Sequence, residues 1–292
     1  MKKLNISIIG KSNVGKSSLM NTLCNSYVSS VSEKKQTTRT NIEHNFIKKN
    51  SIFTINDTPG YFVKENNLLS SSMKVSYLKS VTESDIILIM FDNTFKLSQK
   101  EKSILESLIG SNNQIIIILN KIDLMTKDEL KTLKNTIQIY FEKKLFPIST
   151  ITDDGIESLL KYLDEVLENL KSDVEHDAIS ENINNLTTQE IIRGVINQLT
   201  HGEVPYDCAV HTEKILNKKQ NICIKSTIYV EKSNQKKILI GSNGNQIKKI
   251  GSISREALEK ISNKKIYLEL FVVVKKNWKN SHEFLKKLGY IN

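Results

Sequence analysis

The sequence predicts an α/β domain, in which a mostly parallel sheet carries helices on both faces, followed by a smaller α+β domain. Three observations lead to this prediction. Apolar strand patterns alternate with helical patterns through residues 1–170. A glycine-containing loop lies between the first strand and the first helix. A second glycine loop lies between two helices in the basic last third of the chain.

The elements of the first domain, residues 1–170, follow from the periodicity of the apolar residues. Strands are predicted at residues 4–9, 42–48, 51–56, 85–91, 114–119 and 145–148. Helices are predicted from Lys16 to about Asn25 and at residues 98–109, 128–142 and 156–170. Irregular polar stretches are expected at residues 26–41 and 58–72.

The second domain is predicted over residues 188–292, after a linker at residues 171–187 where the periodicity is lost. Its predicted elements are a helix from about Thr188, strands at residues 207–216, 221–231 and 266–274, and one helix on each side of Gly241–Gly244. The resulting order is α–β–β–α–α–β.

Composition argues against several classes of protein. With 39% hydrophobic and 25% charged residues, the 292-residue chain has the composition of a soluble globular protein of two domains. The longest apolar stretches, Ile86–Phe91 and Ile115–Leu119, are too short to cross a bilayer as helices. The start resembles a signal peptide only as far as Asn5, so we expect a cytoplasmic protein. Three widely spaced cysteines indicate neither disulfides nor a metal site: Cys24, Cys208 and Cys223.

The positive charge is concentrated in the last third of the chain. Residues 1–188 contain 23 Lys and Arg against 23 Asp and Glu, whereas residues 189–292 contain 19 against 9. A basic domain joined to a neutral one suggests a polyanionic partner for the basic part. The alternative is a solvated, lysine-rich surface, and charge alone does not decide between them.

The first glycine loop matches the phosphate-binding motif G-x-x-x-x-G-K-[ST]. Its residues are Gly10, Lys11, Ser12, Asn13, Val14, Gly15, Lys16 and Ser17, followed by Ser18. Glycines let backbone N–H groups curl around phosphate oxygens, and the next helix adds the positive end of its dipole. Lys16 can reach the β- and γ-phosphates, and the Ser17 hydroxyl can bind Mg²⁺. The alternative is an ordinary turn, but the flanking strand and helix favour a phosphate site.

The tetrapeptide Asn120–Asp123 directly follows the strand at residues 114–119 and indicates the preferred base. The Asp123 carboxylate can only accept hydrogen bonds, so it can take both N1–H and N2–H of guanine, a pair of donors that adenine lacks. Asn120 can read the far edge of the base, and Lys121 completes the motif. Without its sequence context, the tetrapeptide would be interpreted as part of a surface loop. At a strand end downstream of a phosphate loop, it predicts GTP over ATP.

Two more segments fit a nucleotide site. In Asp57-Thr58-Pro59-Gly60, Asp57 can hold Mg²⁺ through water and the Gly60 N–H can contact the γ-phosphate. By itself this segment would be a Pro-Gly turn. A threonine of Gln36-Thr37-Thr38-Arg39 can complete the Mg²⁺ shell, although loop polarity alone also explains this segment. The four segments occur in the order expected of a GTPase.

From Asn5 to about Ile291, these motifs and the second domain resemble the Era family of bacterial GTPases. The resemblance implies GTP or GDP with Mg²⁺ as cofactors and makes Thr38 the switch threonine on that ion. It also implies that Ser149 and Thr150 lie in the guanine-contacting loop. Family members usually have Ser-Ala there and often have proline at the place of Ser12.

The predicted catalytic set comprises Lys16, Thr38, Gly60 and Asn13. Tyr61 follows Gly60 where Ras-type proteins place a water-orienting Gln, so charge stabilisation has to come from elsewhere. Similar GTPases with an asparagine at the position of Asn13 use K⁺. The hypothesis is that Asn13 helps to bind K⁺ beside the phosphates; the alternative is that it only shapes the loop.

The second glycine loop is of the G-x-x-G type found between the helices of KH domains, and the resemblance specifies a type II KH domain. Such loops approach the backbone of about four single-stranded nucleotides. A helix-capping turn is the alternative, but the surrounding element order favours the RNA site. The predicted RNA-binding residues are Lys236, Lys237, Gly241, Ser242, Asn243, Gly244, Lys248 and Lys249. The loop residues Ser242 and Asn243 are neutral, so these four lysines have to supply the attraction for phosphate.

The resemblance also implies the partners. The RNA would be the 3′ end of small-subunit (16S) ribosomal RNA, and the task would be maturation of the small ribosomal subunit by a monomer. A first alternative is an RNA chaperone whose nucleotide site is structural. A second is a regulatory GTPase held peripherally on the inner face of the cell membrane, to which the basic, amphipathic tail at residues 281–290 could contribute unless it packs on the KH sheet.

Overall fold

The computed structural model describes residues 2–24, 42–48, 51–57, 67–109, 114–169, 184–218 and 220–291. Residue contacts divide the chain into two compact units. Of the described residues, the first unit contains 2–24, 43–48, 51–57, 77–109 and 114–169. The second unit contains residue 42 and residues 67–76, 184–218 and 220–291. Each unit is described separately below.

The first unit is built on a six-stranded sheet in the order β2-β3-β1-β4-β5-β6. Its strands are β1 (Lys2–Gly10), β2 (Ile42–Lys48), β3 (Ser51–Asp57), β4 (Ile86–Phe91), β5 (Gln114–Leu119) and β6 (Lys144–Pro147). Strand β1 pairs in parallel with β3 and β4, and β5 does so with β4 and β6. All residues of β4 are buried, as expected for a parallel strand covered on both faces.

In the described part of the chain, four helices lie wholly in this unit and a fifth belongs to it in part. The four are α1 (Lys16–Cys24), α3 (Gln99–Ile109), α4 (Lys127–Phe141) and α5 (Ile156–Asn169), and the fifth is α2 (Leu68–Thr82), which is in the first unit only from Tyr77 on. Thr126 starts α4 with a capping box, because its hydroxyl accepts the Glu129 N–H and the Glu129 carboxylate accepts the Thr126 N–H. Buried residues of α3 and α4 share one apolar core with β4 and β5. The predicted α/β class is confirmed.

Helix α2 is the main difference from the predicted elements. Residues 58–72 were expected to be irregular, and the described part of that stretch, from Leu68 on, is already helical. The serine run at residues 70–72 is typical of a loop. Asn67 overcomes this tendency by capping the first turn, where its side chain accepts the Ser70 N–H at 2.9 Å. Apolar residues four apart are buried behind it: Leu69, Met73, Tyr77 and Val81.

The second unit is built on the three-stranded sheet β7-β8-β9. Its elements are α6 (Asn185–Leu199), α7 (Val204–Asp207), β7 (Cys208–Asn217), β8 (Asn221–Val230), α8 (Ser233–Ile240), α9 (Asn245–Ser262), β9 (Lys265–Val274) and α10 (His282–Lys287). Strands β7 and β8 are antiparallel, and β8 and β9 are parallel. Helix α6 begins earlier than predicted because the Asn184 side chain accepts the Thr187 N–H.

The amphipathic tail folds as α10 and the residues that follow it. Its apolar residues Phe284, Leu285, Leu288 and Tyr290 are buried in one cluster with Trp278 of the same unit. The tail therefore presents its apolar face to the interior, as in the packed alternative predicted from sequence. Within the described residues, no helix is both long enough and apolar enough to span a bilayer.

Candidate nucleotide site and nucleic-acid interface

The phosphate-loop motif lies between the end of β1 at Gly10 and the start of α1 at Lys16. Both glycines of the motif are required sterically. A Cβ on Gly10 would stand 2.7 Å from the Met90 carbonyl oxygen. A Cβ on Gly15, whose φ is +102°, would stand 2.2 Å from the Asn120 Nδ2. Asn13 also has a positive φ of 69°, which asparagine tolerates better than most residues.

Lys16 lies across the loop that precedes it. Its ammonium group donates to the carbonyl oxygens of Gly10, at 3.1 Å, and Lys11, at 2.8 Å, and the residue is buried. A buried cation surrounded by backbone at a helix N-terminus fits an anionic phosphate chain. Ser17 lies beside it on α1, and Asp57 ends the adjacent strand β3, where it pairs in register with Ile8 of β1. This placement fits the predicted Mg²⁺ ligands.

Asn120 connects the phosphate loop with the loop after β6. Its Nδ2 donates to the Val14 carbonyl oxygen at 2.8 Å, and its Oδ1 accepts the Thr150 N–H at 3.2 Å. The residue is buried. Sequence reasoning expected this amide to read the far edge of the base. In the structure both of its polar atoms are engaged within the protein, so Asn120 holds two loops of the site together. These two bonds use one N–H and one oxygen lone pair of the amide, so the contact with the base stays a prediction.

The Asp123 carboxylate is held in place by the loop after β6. Its Oδ1 accepts the Ser149 hydroxyl at 2.6 Å, while the Ser149 oxygen also accepts the N–H groups of Ile151 and Thr152. Ser149 is buried and Asp123 is exposed. An acceptor-only carboxylate held at the surface of the site suits the two donors of a guanine edge.

Asp92 was missed by sequence reasoning. It follows β4 directly, and its Oδ2 lies 2.6 Å from the Nζ of Lys121. Burial opposes ionisation of this carboxyl, but hydrogen bonds from Lys121 and Thr94 outweigh it, so the pKa of Asp92 lies below its ordinary value. The available signal was an acidic residue at the carboxyl end of a parallel strand, the edge where sites form in such sheets.

Some predicted site residues lie outside the described part of the chain. These are Thr38, Gly60 and their neighbours Gln36, Thr37, Arg39, Thr58, Pro59 and Tyr61. Of Asp57, the structure describes the strand position. The structure therefore brings together the phosphate loop, the guanine motif and the Ser149–Thr150 loop, and it leaves the two switch segments as predictions.

The second glycine loop joins α8 to α9 through a 3₁₀ turn at Ser242–Gly244. Gly241 has a φ of +71°, and a Cβ there would meet the Gln246 Cβ at 2.7 Å. Gly244 also has a positive φ, +75°, but a Cβ there would meet no atom closer than 4.0 Å. The first glycine is thus required by packing, and the second leaves open space through which a nucleic-acid backbone can approach.

Lysines surround this loop. Lys237, Lys248 and Lys249 are exposed and Lys236 is half-buried. No acidic residue occurs between Glu231 and Glu256, so nothing along this stretch of sequence offsets the positive charge. Ile250 belongs to the core of the unit, whereas Ile238 is half exposed beside the lysines. The surface has the charge that a phosphate backbone requires.

A parallel sheet with a phosphate loop and a guanine motif, followed by an α–β–β–α–α–β unit with a G-x-x-G loop, defines a P-loop GTPase that carries a KH domain. Family models agree with this class. Residues 5–121 match the model described as 50S ribosome-binding GTPase, and residues 203–279 match the KH domain.

The relatives narrow the class to one family. The chain is 33% identical over 290 residues to the GTPase Era of Geobacter metallireducens, which covers 98% of this chain and 96% of that protein. A crystal structure of an Aquifex aeolicus Era variant bound to GDP·AlF4⁻ covers 100% of both chains with a TM-score of 0.89 and 32% identity. A structure of Era with MgGDPNP and nucleotides 1506–1542 of 16S ribosomal RNA has the same TM-score and coverage at 31% identity. The chain belongs to the Era family of GTPases.

Proposed function

We propose that this GTPase binds and hydrolyses GTP with Mg²⁺ in its first unit and binds the 3′ region of 16S ribosomal RNA through its KH domain, and so assists maturation of the small ribosomal subunit. The observation that carries the nucleotide part is the junction at Asn120, which joins the phosphate loop to the base loops. Support for the RNA part comes from the open, lysine-rich G-x-x-G loop and from the relative solved with a 16S fragment.

In this proposal the chain contributes mainly positioning and charge, as phosphoryl transfer requires. Lys16 would exchange its bonds to the loop carbonyls for the β- and γ-phosphate oxygens. Asp123, fixed by Ser149, would accept the two guanine donors. Ser17, Thr38 and Asp57 would hold Mg²⁺, which neutralises phosphate charge when bound, and the Gly60 N–H would contact the γ-phosphate. Backbone N–H groups of Gly10–Ser18 would line the phosphates.

The proposal includes a monovalent cation near Asn13. Among the non-glycine residues of the phosphate loop, Asn13 is the one with a positive φ. A K⁺ ion there would replace the positive charge that other GTPases receive from an arginine. The test is the single-turnover hydrolysis rate in KCl and in NaCl at equal ionic strength. Equal rates would remove K⁺ from the proposal.

The proposed location is the cytoplasm, with the protein acting as a monomer. Peripheral attachment to the inner face of the membrane receives little support from the tail at residues 281–290, since its apolar side chains are buried. Sedimentation of the intact protein with anionic liposomes tests the attachment. Recovery in the pellet would favour the membrane-associated alternative.

Three measurements test the main proposal. Calorimetry with Mg²⁺ should detect GTP binding and a clear preference over ATP, and the reverse preference would contradict the assignment of Asp123. Crosslinking to RNA followed by sequencing should recover the 3′ end of the small-subunit RNA. Single-turnover hydrolysis by the wild type and by Thr38→Ala separates an active GTPase from an RNA chaperone with a structural nucleotide, because only the GTPase would lose rate.

A further inference from the structure

The loop after β4 contains a carboxylate that is fixed on both oxygens. Asp92 Oδ2 accepts the Lys121 ammonium at 2.6 Å. Its Oδ1 accepts the Thr94 N–H at 3.0 Å and the Thr94 hydroxyl at 2.6 Å. The Asp92 side chain is 8% exposed and that of Lys121 is 28% exposed. A partly buried ion pair with this many hydrogen bonds holds its geometry better than a surface pair does.

Lys121 stands in the middle of the guanine motif, between Asn120 and Asp123. Its backbone is left-handed, with φ of 63° and ψ of 36°, a region that non-glycine residues rarely occupy. The residue is also the N-cap of the 3₁₀ turn that contains Asp123, although its side chain makes no capping hydrogen bond there. Lys121 therefore joins Asp92, through its side chain, to the backbone that presents the base-reading carboxylate.

The same loop also contacts the phosphate loop. Lys11 of the phosphate motif donates its ammonium to the Lys96 carbonyl oxygen at 2.9 Å. The Asn120 N–H donates to the Phe91 carbonyl oxygen at 2.8 Å. Residues 91–96 thus bond both to the phosphate loop and to the guanine motif. Of the three contacts, made by Phe91, Asp92 and Lys96, that of Asp92 joins two charged side chains.

We propose that Asp92 is a positioning residue of the guanine-nucleotide site, which acts by fixing Lys121 and so holds the guanine motif at a set place beside the phosphate loop. The inference rests on the proposed nucleotide binding and adds a residue to it. Asp92 itself touches neither the base nor the phosphates. If it served only as the start of the turn with Thr94, its effect on nucleotide affinity would not depend on Lys121.

The test is a double-mutant cycle on the full-length protein with a fluorescent GDP and with GTP. Asp92→Asn keeps the shape and removes the charge, and it should weaken nucleotide binding about tenfold, the usual effect of losing a hydrogen bond to a charged group. Asp92→Glu should recover part of that loss. In a Lys121→Met background, Asp92→Asn should have no further effect.

Asp85→Asn is the matched control. Asp85 directly precedes β4, at the end opposite to Asp92, and its carboxylate accepts the Asn5 N–H at 2.8 Å. Its substitution should leave nucleotide affinity unchanged. Melting temperatures without nucleotide identify variants that do not fold. If Asp92→Asn is among them, Thr94→Ala, which removes one bond to the carboxylate, should give a smaller loss that likewise depends on Lys121.

The outcomes distinguish a failure of the positioning role from a failure of the proposed function. Unchanged affinity in folded Asp92→Asn, or an equal loss with and without the Lys121 ammonium, would overturn the positioning role alone. A wild-type protein that binds no GTP would overturn the proposed function, and the positioning role with it.

Discussion

The absence of a side chain at Gly15 leaves room for the Asn120 amide, which joins two loops of the nucleotide site. The methyl group of a Gly15→Ala variant would occupy the place of the Asn120 amide, which bonds to Val14 and Thr150. Loss of even one of these hydrogen bonds, at about 1.4 kcal/mol, predicts at least about tenfold weaker GTP and GDP binding. Calorimetry measures this. Gly202→Ala, at another positive φ but with no atom within 4 Å, is the control. Equal affinities for the two variants would contradict the prediction.

A second prediction at the residue scale concerns an ion pair inside the second unit. Arg193 and Glu190 of α6 are 1% and 3% exposed, and the guanidinium of Arg193 bonds to both carboxylate oxygens of Glu190. Glu190→Leu removes the carboxylate that is bonded to this buried guanidinium, so it should destabilise this unit by about 3–5 kcal/mol.

Denaturant unfolding measures this loss in the free energy of unfolding, and two further variants test its cause. Glu190→Leu combined with Arg193→Met should regain much of the stability, because no charge then remains buried. Glu83→Gln breaks the exposed Lys79–Glu83 pair at the end of α2 and should cost less than about 1 kcal/mol. A similar loss from the exposed and the buried pair would refute the argument.

At the scale of elements, apolar runs determined what the sequence could predict. Strands β4 and β5 were predicted within one residue, because continuous isoleucine-rich runs of six and five apolar residues are too short for buried helices and suit buried strands in an α/β sheet. Helix α2 could not be predicted, since its serine run favours loops and its buried residues, four apart, find partners only in the folded chain. Helix α10 was found in sequence as an amphipathic tail, but its burial depends on Trp278, which follows β9.

The G-x-x-G loop supports a prediction for an element. Because a side chain at Gly244 would meet open space, and aspartate tolerates a positive φ better than most residues, Gly244→Asp should fold normally. Its carboxylate would stand where a phosphate is expected, so single-stranded RNA should bind at least about tenfold more weakly through repulsion of like charges. Fluorescence anisotropy measures the binding. Gly202→Asp, at a similar open and positive-φ site, should bind RNA like the wild type; a loss of affinity there would point to a general charge effect.

At the scale of the whole molecule, motifs predicted the class and both sites from the chemistry of phosphate and base recognition. They could not reveal contacts made across the sheet. Asp92 meets Lys121 only because β4 and β5 are neighbours in register, and Asn120 meets Val14 only because β5 ends beside the phosphate loop. Such pairings are set by topology, which single-residue patterns do not encode.

The distribution of charge in the chain leads to the last prediction. The lysines at the G-x-x-G loop are the proposed phosphate contacts, and each contact to a single strand adds about −0.7 to the slope of log affinity against log salt. Four contacts predict a slope of about −2.8, and Lys248→Ala with Lys249→Ala should reduce it to about −1.4 while weakening binding to all sequences alike. Titrations of intact protein with RNA across salt concentrations measure both slopes. Lys127→Ala with Lys131→Ala, exposed on α4 of the first unit, removes equal charge elsewhere. If this pair changed the slope as much, the net charge of the chain, rather than the KH loop, would account for RNA binding.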